Sequence, residues 1–298
     1  MDYHNPVLLK ESVEGLQIKP DGIYVDVTFG GGGHSKEILK HLGPNGKLFA
    51  FDQDQDALLN TIDDDRFTLI NENFRHVRRF LRFYGAKQVD GVLADFGVSS
   101  HQFDVAQRGF STRFEADLDM RMNQEDKVSA YHVINEYEDE EIKRVLFEYG
   151  ELRQAPAMAK AIVESRRDGV LKTSEQLKTA LDKFLNHQKE NKVLAQIYQA
   201  IRIEVNQEIE ALKEFLQQTP EILVKGGRLS MISYHSLEDR LVKRFVRNGL
   251  FEGEPERDVF GNFEVPLKKV GGLIVPTSEE IKINNRARSA KLRIAEKL

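Results

Sequence analysis

The stretch "YVDVTFGGGGHSKEILKHL", from Tyr24 to Leu42, places four consecutive glycines between a strand-like run and a helix-like run. A glycine turn of this kind lets a ligand lie against bare backbone, with amide N–H groups and the start of the helix facing it. No Gly-Lys-Ser or Gly-Lys-Thr follows, so a triphosphate-binding P-loop is excluded. The dinucleotide pattern G-x-G-x-x-G is also excluded, because Ser35 and Lys36 stand where its last glycine or alanine would be.

Strand and helix patterns alternate outward from this turn. Strands are predicted in "GIYVDVTFG", "GKLFAFDQD", "RFTLINENF", "VDGVLADFG" and "GGRLSMISYHS", with helices between them, as in a parallel α/β sheet. From about residue 104 to residue 193 the strand signals fade and helical stretches replace them. The sequence therefore predicts an α/β core of residues 1–104 and 194–298, with residues 105–193 as an inserted helical subdomain.

Two further helices are predicted, one of them from the spacing of its apolar residues. In "IYQAIRIEVNQEIEALKEFLQQTPEIL" the apolar residues recur every three or four positions, which predicts one long amphipathic helix. These residues are Ile201, Val205, Ile209, Leu212 and Leu216. A shorter helix is predicted in "DQDALLNTID", directly after the second strand.

The composition is that of a globular protein: 298 residues, 40% hydrophobic and 31% charged, with a net charge of −5. No apolar run is long enough to span a membrane, and "MDYHNPVLLKES" lacks the segments of a signal peptide, so a cytoplasmic protein is expected. The absence of cysteine excludes disulfides, thiol nucleophiles and thiolate metal ligands, and no metal site is predicted. Positive charge is concentrated in residues 282–298, which contain six Lys or Arg and one Glu.

Two acids accompany the glycine turn. Asp26 precedes the glycines, and Asp52 ends the second predicted strand. A carboxylate at the end of that strand can accept hydrogen bonds from both hydroxyls of a ribose. This order of acid, glycine turn and second acid is the arrangement by which class I methyltransferases bind S-adenosylmethionine. The alternative interpretation of the whole arrangement is a tight turn plus a solvated acid. A separate alternative for Asp26 is that it only supports the glycine loop.

The segment "ADFGVSSHQFD", residues 94–104, resembles the motif D-L-G-V-S-S-P-Q-L-D of the bacterial 16S ribosomal RNA cytosine-N4 methyltransferases. Other motifs similar to those of that family occur in order along nearly the whole chain: "HNPVLLKE", "DVTFGGGGHS", "FAFDQD", "RGFS", "LDMRM", "AIRIEVN", "GGRLSMISYHSLEDR" and "NNRARSAKLRIAE". The chain departs from the family at His101, which replaces a proline, and at residues 192–199, where a proline and an arginine are missing.

The resemblance implies a Rossmann-like class I methyltransferase sheet with an inserted helical subdomain that recognises the substrate. It implies methyl transfer from S-adenosyl-L-methionine to N4 of a cytidine in the decoding region of 16S ribosomal RNA, with the small ribosomal subunit as partner. Two other functions stay open: an acceptor that is DNA or a small molecule, and an RNA-binding assembly factor that holds the cofactor without turnover. The glycine turn together with Asp52 and Asp95 argues against the last, since a decayed enzyme need not retain them.

Carried over position by position, the family's cofactor contacts fall on Gly32, Gly33, His34, Asp52, Phe74, Asp95 and Gln102. The resemblance implies that the glycines admit the methionine part, that His34 bonds its amino-acid end and that Phe74 offers an apolar wall to the adenine. Asp95 is also the candidate catalytic residue, since it is the only acid in "DFGVSS" and can accept a hydrogen bond from the N4 amine.

Binding of the RNA is the last prediction from the sequence, because the target base must leave its stack to reach the methyl group. Candidate substrate contacts are Arg108, Arg121, Arg202, His235, Arg286 and Arg288, together with Arg293. For each arginine a surface or structural ion pair is the alternative. His235 precedes a predicted helix capping box formed by Ser236 and Asp239.

Overall fold

The computed structural model describes residues 6–186 and 188–298. The first two residues of the "HNPVLLKE" motif, and His187 in the predicted insertion, lie outside the described residues. The chain divides into two compact units: the residues up to Gly97 together with Ile209–Leu298 form the first, and Val98–Glu208 the second. No helix in the described part of the chain is long and apolar enough to cross a membrane.

The first unit contains the sheet. Within the described residues its strands are β1 (Ile23–Asp26), β2 (Lys47–Phe51), β3 (Phe67–Ile70), β4 (Val89–Asp95), β5 (Leu223–Ser233), β6 (Leu267–Ile274) and β7 (Lys291–Lys297). They pair in the order β3-β2-β1-β4-β5-β7-β6. Strands β1 to β5 are parallel to one another, and β7 is antiparallel to both β5 and β6. This sheet confirms the predicted Rossmann-like class I methyltransferase fold.

The helices of the two units follow in chain order. In the part of the chain that the structure describes they are α1 (Leu9–Gly15), α2 (Gly33–His41), α3 (Val77–Phe83), α4 (Ser100–Asp104), α5 (Ala130–Asn135), α6 (Asp139–Glu148), α7 (Ala155–Ser165), α8 (Ser174–Ala180), α9 (Glu190–Asn206), α10 (Glu208–Ile222), α11 (Ser236–Asn248) and α12 (Ser278–Ile283). The helix predicted in "DQDALLNTID" is a 3-10 segment, Gln55–Asn60, with the Asp54 side chain accepting the N–H of Asp56 at its start.

Apolar side chains on both faces of the sheet pack against helices of the first unit. One face carries Val25 and Phe49 in a buried cluster with Phe215 of α10. The opposite face carries Tyr24 in a cluster with Ile38 of α2. Tyr24 and Val25 are adjacent in β1 and belong to different clusters, because successive side chains of a strand point to opposite faces. Each buried side chain of this size stabilises the fold by about 1.5–3 kcal/mol.

The predicted long amphipathic helix is in fact two helices. α9 ends at Asn206 and α10 begins at Glu208, because Gln207 between them has a φ of 49°, in the left-handed region. Asn206 secures this end of α9: its amide donates to the carbonyl of Met120 at 2.8 Å, and its oxygen accepts the N–H of Met122 at 2.6 Å. The apolar spacing continues through the break, so spacing alone predicted a single helix.

The second unit is helical and has a buried core of its own. Side chains such as Ile134 and Leu146 form this core together with Ile197 and Ile201 of α9. Because α9 completes the core, the compact unit runs from Val98 to Glu208, whereas the sequence pattern placed the limits of the insertion at residues 105 and 193.

Candidate active site

Polar side chains gather where strands β1, β2, β4 and β5 end. Asp26 and Asp95 are the last residues of β1 and β4, while Asp52 follows β2 and Tyr234 follows β5. These strands are parallel, so their carboxyl ends lie along one edge of the sheet. Open α/β sheets bind their ligands at this edge. The first unit therefore carries a candidate site built from its own side chains.

The glycine turn connects β1 to α2 and has no room for side chains at two positions. The N–H of Phe29 donates to the carbonyl of Phe51 at 2.9 Å, which extends the pairing of β1 with β2. Gly32 has a φ of 75°, and a Cβ there would lie 2.9 Å from the Phe29 ring. A Cβ on Gly33 would lie 2.1 Å from the side chain of Pro6. Packing within the protein therefore excludes a side chain at both of these glycine positions.

Asp26 supports the turn from inside the fold. Its fully buried carboxylate accepts the Ser35 hydroxyl at 2.7 Å and the backbone N–H of Thr28 at 3.1 Å. Burial raises the pKa of Asp26 to about 6, although both hydrogen bonds oppose the rise. Both oxygens are bonded within the fold, so Asp26 has the supporting role that was the alternative interpretation of this acid.

Asp52 joins the glycine turn to the end of β2. Its Oδ2 accepts the N–H of Gly30 at 2.8 Å, and its Oδ1 accepts the N–H of Asp54 at 2.9 Å. Burial raises the pKa of Asp52 to about 6, with these hydrogen bonds opposing the rise. A carboxylate has about four acceptor positions, so each oxygen keeps the capacity to accept one hydroxyl of a ribose.

Phe74 lies in the 3-10 segment Phe74–His76, directly before α3. Its ring is edge-on to Phe215, with 5.6 Å between the ring centroids, and tilted against Phe96 at 6.0 Å. Phe74 is partly buried, whereas Phe96 and Phe215 lie in the core. A partly exposed ring backed by two buried rings suits contact with a flat apolar group.

His34 lies in the first turn of α2 and is buried. Its Nε2 is 3.2 Å from the carbonyl oxygen of Val7, and since a carbonyl can only accept, Nε2 carries the hydrogen. Burial lowers the pKa of His34, which favours the neutral ring, and Nδ1 is then an acceptor. Nδ1 lies 3.9 Å from Oδ2 of Asp95, too far for a direct hydrogen bond. One amine or ammonium group of a ligand can therefore donate hydrogen bonds to both Nδ1 of His34 and Oδ2 of Asp95.

Asp95 is a partly exposed carboxylate held on one side. The Tyr234 hydroxyl donates to its Oδ1 at 2.7 Å, and the backbone N–H of Asp95 donates to the Thr28 hydroxyl at 2.7 Å. Burial raises the pKa of Asp95 to about 6, against the opposing effects of His34 and Tyr234. The side chain keeps 21% of its surface exposed, and while Oδ1 is bonded to Tyr234, Oδ2 faces His34.

His235 is the N-cap of α11, and the predicted capping box is wrong by one residue. The box is formed by His235 and Glu238 instead of Ser236 and Asp239, because α11 begins at Ser236. Glu238 also accepts the backbone N–H of Tyr234 at 2.9 Å. His235 and Glu238 thus belong to the scaffold that presents Tyr234, and contact of His235 with a substrate stays a prediction.

Gln102, a predicted cofactor contact, belongs to the second unit. It is buried and forms a capping box with Ser99 at the start of α4. Its side-chain oxygen accepts the N–H of Ser99 at 3.0 Å, and its own N–H donates to the Ser99 hydroxyl at 3.2 Å. These contacts explain Gln102 within its own unit, and its contact with the cofactor stays a prediction.

Three of the candidate RNA-binding arginines are engaged inside the second unit. Arg108 is 6% exposed and donates to two backbone carbonyls, each at 3.0 Å. Arg121 forms a two-bond ion pair with Asp119, at 2.7 and 2.9 Å. Arg202 forms a similar pair with Glu208, at 2.8 and 2.9 Å. Arg121 and Arg202 thus form the structural ion pairs that were the alternative, whereas Arg108 is bonded to carbonyls, and contact of these three arginines with a substrate stays a prediction.

The remaining candidate arginines lie in the first unit. Arg286 and Arg288 are in the 3-10 segment Asn285–Ser289, where Arg288 is exposed and Arg286 is partly buried. Arg293 in β7 makes two bonds to Asp239 of α11, at 2.7 and 3.2 Å. Arg288 is therefore better placed than Arg293 to meet a phosphate, since Arg293 fastens α11 to the sheet.

Tyr234 is a site residue that the sequence interpretation missed. Ile232 of β5 pairs with Asp95 of β4 in parallel register, and Tyr234 follows two residues later. Residues that come directly after neighbouring parallel strands meet at the same edge. That rule could have identified Tyr234 once β4 and β5 were placed side by side, although the whole helical unit separates them in the chain.

A parallel sheet with a reversed β7, a bare glycine turn after β1 and an acid after β2 is the arrangement of a class I methyltransferase. The chain belongs to the MraW methylase family, whose model matches residues 1–298. The predicted family and enzyme class are thereby confirmed, and S-adenosylmethionine is the cofactor.

Curated relatives agree over the full length. The chain is 72% identical over 298 residues to "Ribosomal RNA small subunit methyltransferase H" of Christiangramia forsetii, which covers 100% of this chain and 99% of that protein. It is 54% identical over 297 residues to the protein of the same name from Cytophaga hutchinsonii, with 99% of each covered. A solved rRNA methylase from Streptococcus thermophilus aligns with 100% of this chain and 99% of that one, at 13% identity and a TM-score of 0.44, which is too weak a likeness to bear on function.

Proposed function

We propose that this protein transfers a methyl group from S-adenosylmethionine to N4 of a cytidine in the decoding region of 16S ribosomal RNA. The observation that supports this best is the Asp95 carboxylate, which is partly exposed and held at Oδ1 by Tyr234 at the ligand-binding edge of the sheet. The names of the full-length relatives support ribosomal RNA of the small subunit as the substrate.

The side chains of the first unit fit this cofactor. Asp52 has free acceptor capacity for a ribose, and Phe74 is a partly exposed ring suited to adenine. Gly32 and Gly33 leave the backbone of the turn without side chains, and the proposal places the methionine part of the cofactor beside that backbone. His34 Nδ1, which faces Asp95 at 3.9 Å, suits the ammonium group of the same part.

When bound, the cofactor would supply a methyl group activated on a sulfonium: the carbon–sulfur bond breaks as N4 takes the methyl group, a neutral thioether leaves, and N4 then loses one proton. The amine of cytosine is a weak nucleophile, because its lone pair is delocalised into the ring. In this proposal Asp95 accepts a hydrogen bond from one N4–H and so favours the lone pair on nitrogen. With a pKa of about 6, Asp95 is mostly ionised at neutral pH and able to accept. The rest of the rate enhancement comes from proximity and orientation.

The proposed partner is 16S ribosomal RNA, either free or within the small subunit, which places the protein in the cytoplasm. The second unit, containing the predicted insertion at residues 105–193, is the proposed recognition element. The target cytidine has to be turned out of its stack to reach the site. Exposed cations such as Arg288 are available for phosphates, so the affinity for RNA should fall as salt is added.

The experiment that tests the function compares acceptors. Labelled S-adenosylmethionine and the protein are incubated with 16S RNA, small subunits, DNA and free cytidine, and the modified base is identified by mass spectrometry. We expect label at N4 of one cytidine in the RNA or the subunit. Equal turnover on free cytidine would contradict an RNA acceptor. Cofactor and RNA binding without turnover would instead favour an assembly factor.

The cellular form of the test uses a strain that lacks the protein. Its small-subunit RNA should contain the same cytidine without the N4 methyl group, and the wild-type gene should restore it. Restoration by the gene with Asp95→Asn at the wild-type level would remove Asp95 from the chemistry and leave the acceptor assignment standing.

A further inference from the structure

We propose that Tyr234 is a positioning residue for methyl transfer, because its hydroxyl holds the Asp95 carboxylate in the orientation that presents Oδ2 to the acceptor amine. This inference rests on the proposed function, since it assigns a role within the same site. The bond that carries it joins the Tyr234 hydroxyl to Oδ1 of Asp95 at 2.7 Å.

Tyr234 is fixed by its own neighbours before it reaches Asp95. Its backbone N–H donates at 2.9 Å to the carboxylate of Glu238, a residue that is 3% exposed. Its ring lies beside Gly97, where a Cβ would be 3.4 Å from ring atom Cδ2. Gly97 also has a φ of 111°, which a residue with a side chain rarely adopts. These contacts therefore hold the Tyr234 hydroxyl in a defined position, independently of its bond to Asp95.

The Asp95 carboxylate needs such a partner. The terminal torsion of an aspartate is broad, so an unrestrained carboxylate turns freely and offers no fixed acceptor direction. The neutral ring of His34 presents an acceptor to Oδ2 and cannot hold it. Among the described residues of the first unit, Tyr234 is the side chain that donates a hydrogen bond to this carboxylate. A bond from a hydroxyl to an ionised oxygen is also of the stronger kind.

The same bond affects the charge of Asp95. The groups that influence its pKa are His34 on α2, Asp26 on β1, and Tyr234 with Glu238 beside the start of α11. The Tyr234 hydrogen bond lowers the pKa of Asp95, whereas Asp26 and Glu238 raise it. Removing the hydroxyl should therefore raise the pKa further, and the carboxylate should lose its charge at a higher pH than in the wild type.

Tyr234→Phe tests the proposal, because it keeps the ring and removes only the hydroxyl. Single-turnover rates are measured at saturating cofactor and RNA over a range of pH, with cofactor affinity measured by calorimetric titration. We expect the rate at neutral pH to fall about tenfold or more. We also expect the midpoint of the acid limb to move to higher pH, with cofactor affinity changed less than about twofold.

Tyr24→Phe is the matched control. Tyr24 is fully buried in β1 of the same sheet, and its hydroxyl accepts the N–H of Lys19 at 2.8 Å, away from Asp95. Both variants lose one hydrogen-bonded hydroxyl, so a general loss of stability would affect both. Thermal unfolding of each variant separates that loss from a change in rate, and Tyr24→Phe should keep the wild-type pH profile.

Tyr234→Phe is also made in an Asp95→Asn background. If Tyr234 acts through Asp95, the second substitution should add little to the first. A wild-type rate and an unshifted pH midpoint in Tyr234→Phe would overturn the proposal, as would fully additive losses in the double variant. Failure of the wild-type protein to methylate RNA would instead overturn the proposed function, so the two failures are distinguishable.

Discussion

The hydroxyl of Ser35 donates a hydrogen bond of 2.7 Å to the fully buried carboxylate of Asp26. Asp26 ends β1 and Ser35 lies in the first turn of α2, so the bond ties strand to helix across the glycine turn. The bond partly offsets the cost of burying the charge, since burial still raises the pKa of Asp26 to about 6. The bond between strand and helix therefore involves a carboxyl group whose protonation state changes with pH near 6.

Asp26→Asn should flatten the pH dependence of stability. The folded protein holds the Asp26 proton up to about pH 6, whereas the acid's ordinary pKa is 3.8. The stability contributed by this proton is therefore full below about pH 4 and lost as the pH rises through about 6. Between those limits the free energy of unfolding of the wild type should fall by up to about 3 kcal/mol more than that of the variant. A pKa difference of one between the folded and unfolded states corresponds to about 1.4 kcal/mol.

Urea denaturation of the two proteins at about pH 4 and about pH 7 measures this difference. The asparagine introduced by Asp26→Asn would keep one acceptor for the N–H of Thr28, and the Ser35 hydroxyl can turn from donor to acceptor, so the variant should fold. Parallel pH dependence in the two proteins would show that Asp26 does not titrate in this range.

Gly32→Ala should weaken cofactor binding in addition to lowering stability. Gly32 has a φ of 75°, and a new Cβ would lie 2.9 Å from the Phe29 ring, so the turn must shift. Gly85→Ala is the control, because Gly85 has a φ of 79° but no atom within 4 Å of the new Cβ. Both should lose about 1–2 kcal/mol of stability from the backbone conformation. Calorimetric titration should show weaker cofactor binding in Gly32→Ala alone. Equal cofactor affinities in the two variants would show that the turn does not contact the cofactor.

Asp52→Ala should reduce cofactor affinity by about 1–3 kcal/mol, because two ribose hydroxyls lose their acceptor. It also removes the acceptor of the Gly30 N–H, which loosens the turn. Asp54→Ala removes a nearby carboxylate that accepts the N–H of Asp56 and has no proposed ligand contact. Titration of both variants, with thermal unfolding alongside, checks this, and unchanged affinity in Asp52→Ala would exclude Asp52 from the site.

Asp95→Asn should lower the single-turnover rate well beyond its effect on cofactor affinity. The amide keeps the shape of the carboxylate but loses its charge and one acceptor. For the wild type we expect the rate to fall as the pH drops through about 6, because Asp95 then becomes protonated. The variant should lose that dependence. Recovery of a near wild-type rate at saturating cofactor would make Asp95 a binding residue only.

Features encoded by neighbouring residues were predictable from the sequence. The strand run that ends at Asp26, the glycines after it and the acid at Asp52 lie close together in the chain, and each has a local pattern. The parallel pairing of β1 with β2 then brings Asp52 to Gly30. Once the local patterns were assigned and the strands placed in order, the positions of these residues in the fold were predictable.

Features that depend on a single backbone angle or on distant packing were not predictable. Nothing in the apolar spacing signals the left-handed turn at Gln207. The choice of His235 over Ser236 as the N-cap depends on where β5 ends. The burial of Arg108 depends on the core of the second unit, and an arginine in the sequence looks the same whether it meets a phosphate or a carbonyl.

Asp95 and Tyr234 are 139 residues apart in the chain. Strand β4 pairs with β5 although the sequence of the whole helical unit separates the two strands. Contacts between distant segments must first close a long loop, and they form slowly for that reason. The glycine turn joins adjacent segments and carries no such delay. During folding, the glycine turn can therefore form before the Asp95 carboxylate acquires its hydroxyl partner. Under the proposed roles, orienting the Asp95 carboxylate therefore depends on a contact between distant segments, whereas forming the glycine turn does not.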